Sequence, residues 1–184
     1  MEIFKKLQDQ YKGVFENLRL YWKLYGGSKS LIASPYLHLA LLISFACKPV
    51  WNVDHEAWAW FDICNSVLPN ILGFTLGGYA ILLAFGSSKF MEVIAGDDPD
   101  EDGDSPFMTI NATFLHFIII QAIALIFSII ALAWNYSTGP VAFIGFFLFS
   151  YALTISIAAA FAILRLAKWY DNFITNERKK NDAL

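Results

Sequence analysis

Four long stretches of this chain are almost free of charge: about 31–51, 67–86, 109–134 and 141–167. Each is close to or above the roughly 20 helical residues that cross about 30 Å of hydrocarbon. A water-soluble fold of 184 residues could not hide four such segments at once. Composition agrees, with 57% of residues hydrophobic and 16% charged, against about 25% charged in an ordinary soluble domain. A disordered chain and a disulfide-stapled mini-domain are excluded on the same grounds, the second because there are only two Cys. A segment crossing a bilayer must satisfy its backbone internally, which leaves helices or a closed barrel. Barrel strands alternate in polarity over about 10 residues, whereas these runs are continuous. The expected fold is an all-α integral membrane protein with four transmembrane helices. The first span has the shortest clean apolar part, with Pro35 near its start and Lys48-Pro49 near its end.

The few charges set the expected orientation. Lys5, Lys6, Lys12, Arg19, Lys23 and Lys29 precede the first span, Lys48 lies in the first connection, and Lys89 lies in the second. Arg165, Lys168, Arg178, Lys179 and Lys180 follow the last span. Cytoplasmic loops collect Lys and Arg, so both termini and the middle connection are expected inside a bacterial inner membrane, leaving only Lys48 outside. Residues 1–25 hold no continuous apolar run of the signal-peptide kind. Instead Ile3, Phe4, Leu7, Tyr11, Val14, Phe15, Leu18, Tyr21, Trp22 and Tyr25 recur at helical spacing opposite a basic face. That pattern fits an amphipathic helix lying in the inner headgroup layer, or one packed on a partner. The expected organisation is an interfacial helix over 1–27, a membrane domain over 28–169 and a basic tail over 170–184.

The middle connection, 87–108, holds seven of the sixteen acidic residues. Asp97, Asp98, Asp100, Glu101, Asp102 and Asp104 would offer a docking surface to a basic cytosolic protein, or form a solvated acidic loop. Asp98, Asp100 and Asp102 alternate as in the first half of a calcium loop. The twelfth position falls on Thr109 rather than a bidentate Glu, so at most a weak calcium site is expected and no resident metal.

Within the spans, Gly73 and Gly77 share a face without side chains that permits close helix approach. Ala152, Ser156 and Ala160 repeat the same spacing in the last span. Either packing inside one subunit or homo-oligomerisation would use them. Gln121 and Ser128 stand seven residues apart and form a narrow polar stripe, which fits an interhelical hydrogen-bond seam or the lining of a pore in an oligomer. His38 and His116 are lone histidines, which in helices mostly serve packing. Cys47 and Cys64 flank the first connection and could form a disulfide on an oxidising outer side, where Trp51, Trp58, Trp60 and Phe61 form an aromatic belt. No nucleophile elbow, phosphate loop or metal-ligand spacing is present, and no Asp, Glu, Lys or Arg lies deep in a span, as proton relays and ion-coupled transporters usually require. An enzyme is not expected, nor a cofactor, nor direct nucleic-acid binding.

The stretch Leu68-Pro69-Asn70-Ile71-Leu72-Gly73-Phe74-Thr75-Leu76-Gly77-Gly78-Tyr79-Ala80-Ile81-Leu82-Leu83 resembles small bacterial membrane proteins. In size and layout the chain resembles the four-helix membrane subunits of bacterial antiphage systems such as Kiwa. That resemblance implies an inner-membrane oligomer that senses phage at the envelope and holds a cytosolic effector. The expected function is accordingly a non-enzymatic sensor or scaffold that oligomerises and recruits a cytosolic partner. An oligomeric channel or pore-forming effector is the alternative.

Overall fold

The computed structural model describes residues 1–54, 57–84, 88–95 and 105–182, and all regular structure among them is helical. The acidic run Asp97, Asp98, Asp100, Glu101, Asp102 and Asp104 lies outside the described residues, and with it both the docking surface and the calcium half-loop.

Helix α1 (Glu2–Tyr25) stops at Gly26, which takes φ 93 and ψ 13 and returns its N–H to the carbonyls of Trp22 and Lys23. Only a residue without Cβ adopts this left-handed cap cheaply. Helix α2 (Gly27–Ala33) and helix α3 (Pro35–Ala46) meet at a 52° bend. Proline pushes the preceding residue out of helical geometry, and Ser34 is extended at φ −67, ψ 120. The expected first span, 31–51, is therefore not one rod. It is the end of α2, then α3, then the short α4 (Lys48–Asn52), which starts afresh at Lys48-Pro49.

Helix α5 (Trp60–Ala84) begins seven residues before the expected span at 67. Helix α6 (Ser88–Ile94) follows it. Helix α7 (Pro106–Ala133) is capped by Ser105, whose hydroxyl accepts from Met108 N–H at 3.3 Å. Pro106 needs no N–H at that first position. Helix α8 (Gly139–Asp182) is a single helix of 44 residues, about 66 Å long at 1.5 Å per residue. It carries the expected fourth span and continues far beyond residue 167 into the basic tail.

Helices α7 and α8 are each long and apolar enough to cross a membrane, and the bent pair α2–α3 makes a third such segment if taken as one. Helix α8 is the centre of the bundle, packing against α3, α4, α5 and α7, while α5 lies along α7 and α1 touches α7. Two apolar clusters fill it. One gathers Trp51, Trp60, Phe61, Leu68, Phe146 and Phe149 at the end where α5 and α8 start. The other gathers Ala40, Phe114, Phe117, Tyr151 and Ile155 nearer the start of α7. Beyond it, Phe90 of α6 packs on Tyr170 and Phe173 of α8.

Candidate functional site

Three tyrosines from two helices close around His116. The imidazole is almost fully buried on α7. Its Nδ1 lies 2.6 Å from the Tyr21 hydroxyl and its Nε2 lies 2.9 Å from the Tyr151 hydroxyl. Tyr25 stacks on the ring at 3.9 Å between centroids and 15° between planes, and its hydroxyl also meets that of Tyr151. A neutral imidazole has one donor and one acceptor. One tyrosine must therefore donate to the ring while the other accepts from it, and both polar edges are satisfied in a setting where an orphaned group is costly. Burial pushes the Tyr21 hydroxyl up to about 12, reinforced by Tyr25 beside it. Burial likewise raises that of Tyr25.

This clasp is what fastens α1 to the bundle. Tyr21 is buried and Tyr25 half-buried, whereas Ile3, Phe4, Leu7, Tyr11, Phe15 and Leu18 stay exposed along the same face. The apolar stripe read from the sequence is thus docked only at its last turn. Among the described residues, the bonds that hold His116 come from tyrosine hydroxyls and not from a carboxylate. Among the described residues, no group of His, Cys, Asp and Glu could hold a metal ion.

A second polar group sits mid-bundle. Fully buried Gln121 donates its amide to Thr75 Oγ1 at 3.1 Å on α5 and to Ser156 Oγ at 3.3 Å on α8. Each hydroxyl spends its own hydrogen on a carbonyl one turn back, Ile71 at 2.9 Å and Ala152 at 2.9 Å. That leaves their lone pairs free for the amide. Two turns along α7, buried Ser128 meets Asn65 Oδ1 at 2.6 Å. Gln121 and Ser128 therefore join α7 to its neighbours inside one subunit, in the geometry of a seam.

The remaining expected residues divide by whether a neighbour reaches them. Ala152 is fully buried and Ser156 half-buried against the bundle, but Ala160 is exposed. Gly73 and Gly77 are exposed, and a Cβ on either would meet nothing within 4 Å. The close approach is made elsewhere, at Gly145 of α8. There a Cβ would sit 2.0 Å from the Trp60 ring, whose Nε1 donates to the Tyr136 carbonyl at 2.9 Å. Cys47 and Cys64 are both free thiols, so the bridge anticipated from their positions is not formed. Both pack in the same apolar cluster, with Cys64 fully buried among α5 and α8 side chains.

Sequence reasoning placed Tyr21, Tyr25 and His116 on plausible faces but did not connect them, and it missed Tyr151 and Gly145. The available signal was a lone histidine in an apolar stretch beside an N-terminal helix rich in tyrosine. Comparison of the chain with protein-family models, with curated proteins and with solved structures finds no match.

Proposed function

We propose that this chain is a non-enzymatic scaffold of a bacterial inner membrane, crossing it four times with both termini cytoplasmic and passing a signal from the membrane domain to a soluble partner. The observation that carries this reading is the continuity of α8. Residues of its apolar half pack against α3, α5 and α7, and the same unbroken helix runs on to Asp182 with α6 seated on Tyr170 and Phe173. A displacement of the span must move the charged extension with it, since an uninterrupted helix has no hinge. The fourth span in this reading is α5, whose 25 residues reach about 37 Å, although Asn65, Pro69 and Asn70 dilute its apolar character.

The exposed stripe of α1, opposite Lys5, Lys6, Lys12, Arg19 and Lys23, supports a helix that lies in the inner headgroup layer. The open face around Gly73 and Gly77 supports association with a second copy through α5. An antiphage sensing complex is the setting that this layout suits. The acidic run is the proposed contact for a basic partner. Neutralising Asp97, Asp98, Asp100, Glu101, Asp102 and Asp104 together should abolish co-purification of that partner with the tagged chain, and undiminished recovery would refute the docking role. A pore would need polar residues on an oligomer axis, but Gln121 and Ser128 are occupied by Thr75, Ser156 and Asn65 within the subunit.

A further inference from the structure

A crevice of about 460 Å³ opens between α2, α7 and α8 beside the clasp, within the size range of small-ligand sites. Its α8 wall is Ile155, Ala158, Ala162 and Arg165, successive positions on one helical face. Over these residues, about 15 Å of axis, the wall changes from apolar to cationic. The facing side brings the hydroxyls of Ser30 and Thr113. Thr113 already donates to the Thr109 carbonyl at 2.9 Å, so it can only accept from an occupant.

Depth along α8 says what such a gradient is for. Arg165 stands 26 residues after Gly139, the start of the helix, which is about 39 Å of axis. The hydrocarbon layer is about 30 Å thick and the whole bilayer about 40–45 Å. If Gly139 sits at one face, Arg165 lies in the opposite headgroup layer while Ile155 is still at the depth of the acyl chains. Arg165 is exposed, and no ion pair joins it to any described carboxylate. The fold therefore leaves a guanidinium, the side chain best suited to a phosphate, at phosphate level above an apolar floor.

We infer that this crevice binds one anionic phospholipid. The phosphate pairs with Arg165, the headgroup hydroxyls of a phosphatidylglycerol donate to Thr113, and the first carbons of an acyl chain lie along Ala162, Ala158 and Ile155. A choline lipid would find no carboxylate for its ammonium among the described lining residues and offers no hydroxyl to Thr113. The inference rests on α8 crossing a bilayer and is independent of the scaffold role.

The test uses the full chain, extracted and delipidated in a nonionic maltoside, with bound lipid counted by native mass spectrometry. One phosphatidylglycerol per chain should be retained under conditions that strip phosphatidylcholine. Arg165→Gln should weaken retention at least tenfold, Arg165→Lys should keep part of it, and Ala158→Phe should block it by filling the floor. Arg178→Gln, farther along the extension, should bind as the parent does. Equal retention of phosphatidylcholine, or full retention by both Arg165→Gln and Ala158→Phe, would overturn the inference. So would displacement of the lipid by millimolar inorganic phosphate, which would mark a site for free phosphate. A chain that remains in solution without detergent would instead refute the membrane-spanning reading on which the inference rests.

Discussion

Replacing Gly145 with alanine drives a methyl group into the Trp60 indole. The new Cβ would lie 2.0 Å from Cη2 and 2.7 Å from both Cζ2 and Cζ3, so the ring must retreat by more than an ångström. Little room is available, because Trp60 is fully buried between Phe61 and Phe127 and its Nε1 is tethered to the Tyr136 carbonyl at 2.9 Å. Overpacking of this kind costs about 1–3 kcal/mol, and loss of the indole hydrogen bond adds about 1 kcal/mol. Removing a glycine from a helix interior returns about 0.5–1 kcal/mol, so the net destabilisation should be about 1–3 kcal/mol. Unfolding in detergent micelles, followed by circular dichroism against added denaturing detergent, measures it. Gly73→Ala and Gly77→Ala are the internal controls, since a Cβ at either site meets nothing within 4 Å. Both should unfold no earlier than the parent. Trp60→Phe should also relieve the clash, making the double variant Gly145→Ala/Trp60→Phe less destabilised than the two single effects added together. If Gly145→Ala is as stable as Gly77→Ala, or if the two changes are simply additive, the close contact of α8 with Trp60 is refuted.

Three further outcomes follow from the polar groups. His116→Phe preserves a ring for Tyr25 to stack on but strands the hydroxyl of Tyr21, at about 1–3 kcal/mol, while Tyr151 keeps its bond to Tyr25; α1 should then be cut faster by trypsin at Lys12 and Lys23 while the rest of the chain stays resistant. Raising the pH should release α1 in the same way. Tyr21 is raised to about 12 in the docked state from about 10 when free, so the contribution of its neutral form is complete below pH 10 and is lost as the pH climbs through 12, as proteolysis at stepped pH would show; release already complete at pH 9 would contradict this. Gln121→Leu should change stability by less than about 1 kcal/mol, the usual scale of interhelical hydrogen bonds in membranes, because Thr75 and Ser156 keep their bonds to Ile71 and Ala152. A much larger loss in the unfolding assay would mean that the amide organises the bundle.

The sequence by itself determined that this is a helical chain with segments long and apolar enough to cross a membrane. Hydropathy and helical period are local properties, and they are written along the chain wherever packing later puts it. Pro35 shortened the clean part of the first span in the sequence reading, but 31–51 still read as one segment, and the break at Ser34 came through the backbone of the residue before the proline. The spans on α5 and α7 were placed to start late, since Trp60, Asp62 and Pro106 read as polar or interfacial while still belonging to the helix. Extension of α8 to Asp182 was likewise hidden, because a charged helix outside the apolar layer has no hydropathy signal.

Partnership was decided only by the tertiary structure. Gly73 and Gly77 looked like the packing glycines, yet their face is open, and the tight contact falls on Gly145 because α8 crosses the start of α5 there. Gln121 and Ser128 had two readings in one dimension, and the position of α5 and α8 around α7 gave them Thr75, Ser156 and Asn65. His116 meets Tyr21 across 95 residues of sequence and Tyr151 across 35, separations at which no periodicity carries information. A residue's type and spacing say which face of its helix is apolar, polar or small. Which neighbour covers that face depends on how the helices cross, and for the clasp, the Gln121 seam and the Arg165 crevice that crossing supplied the chemistry.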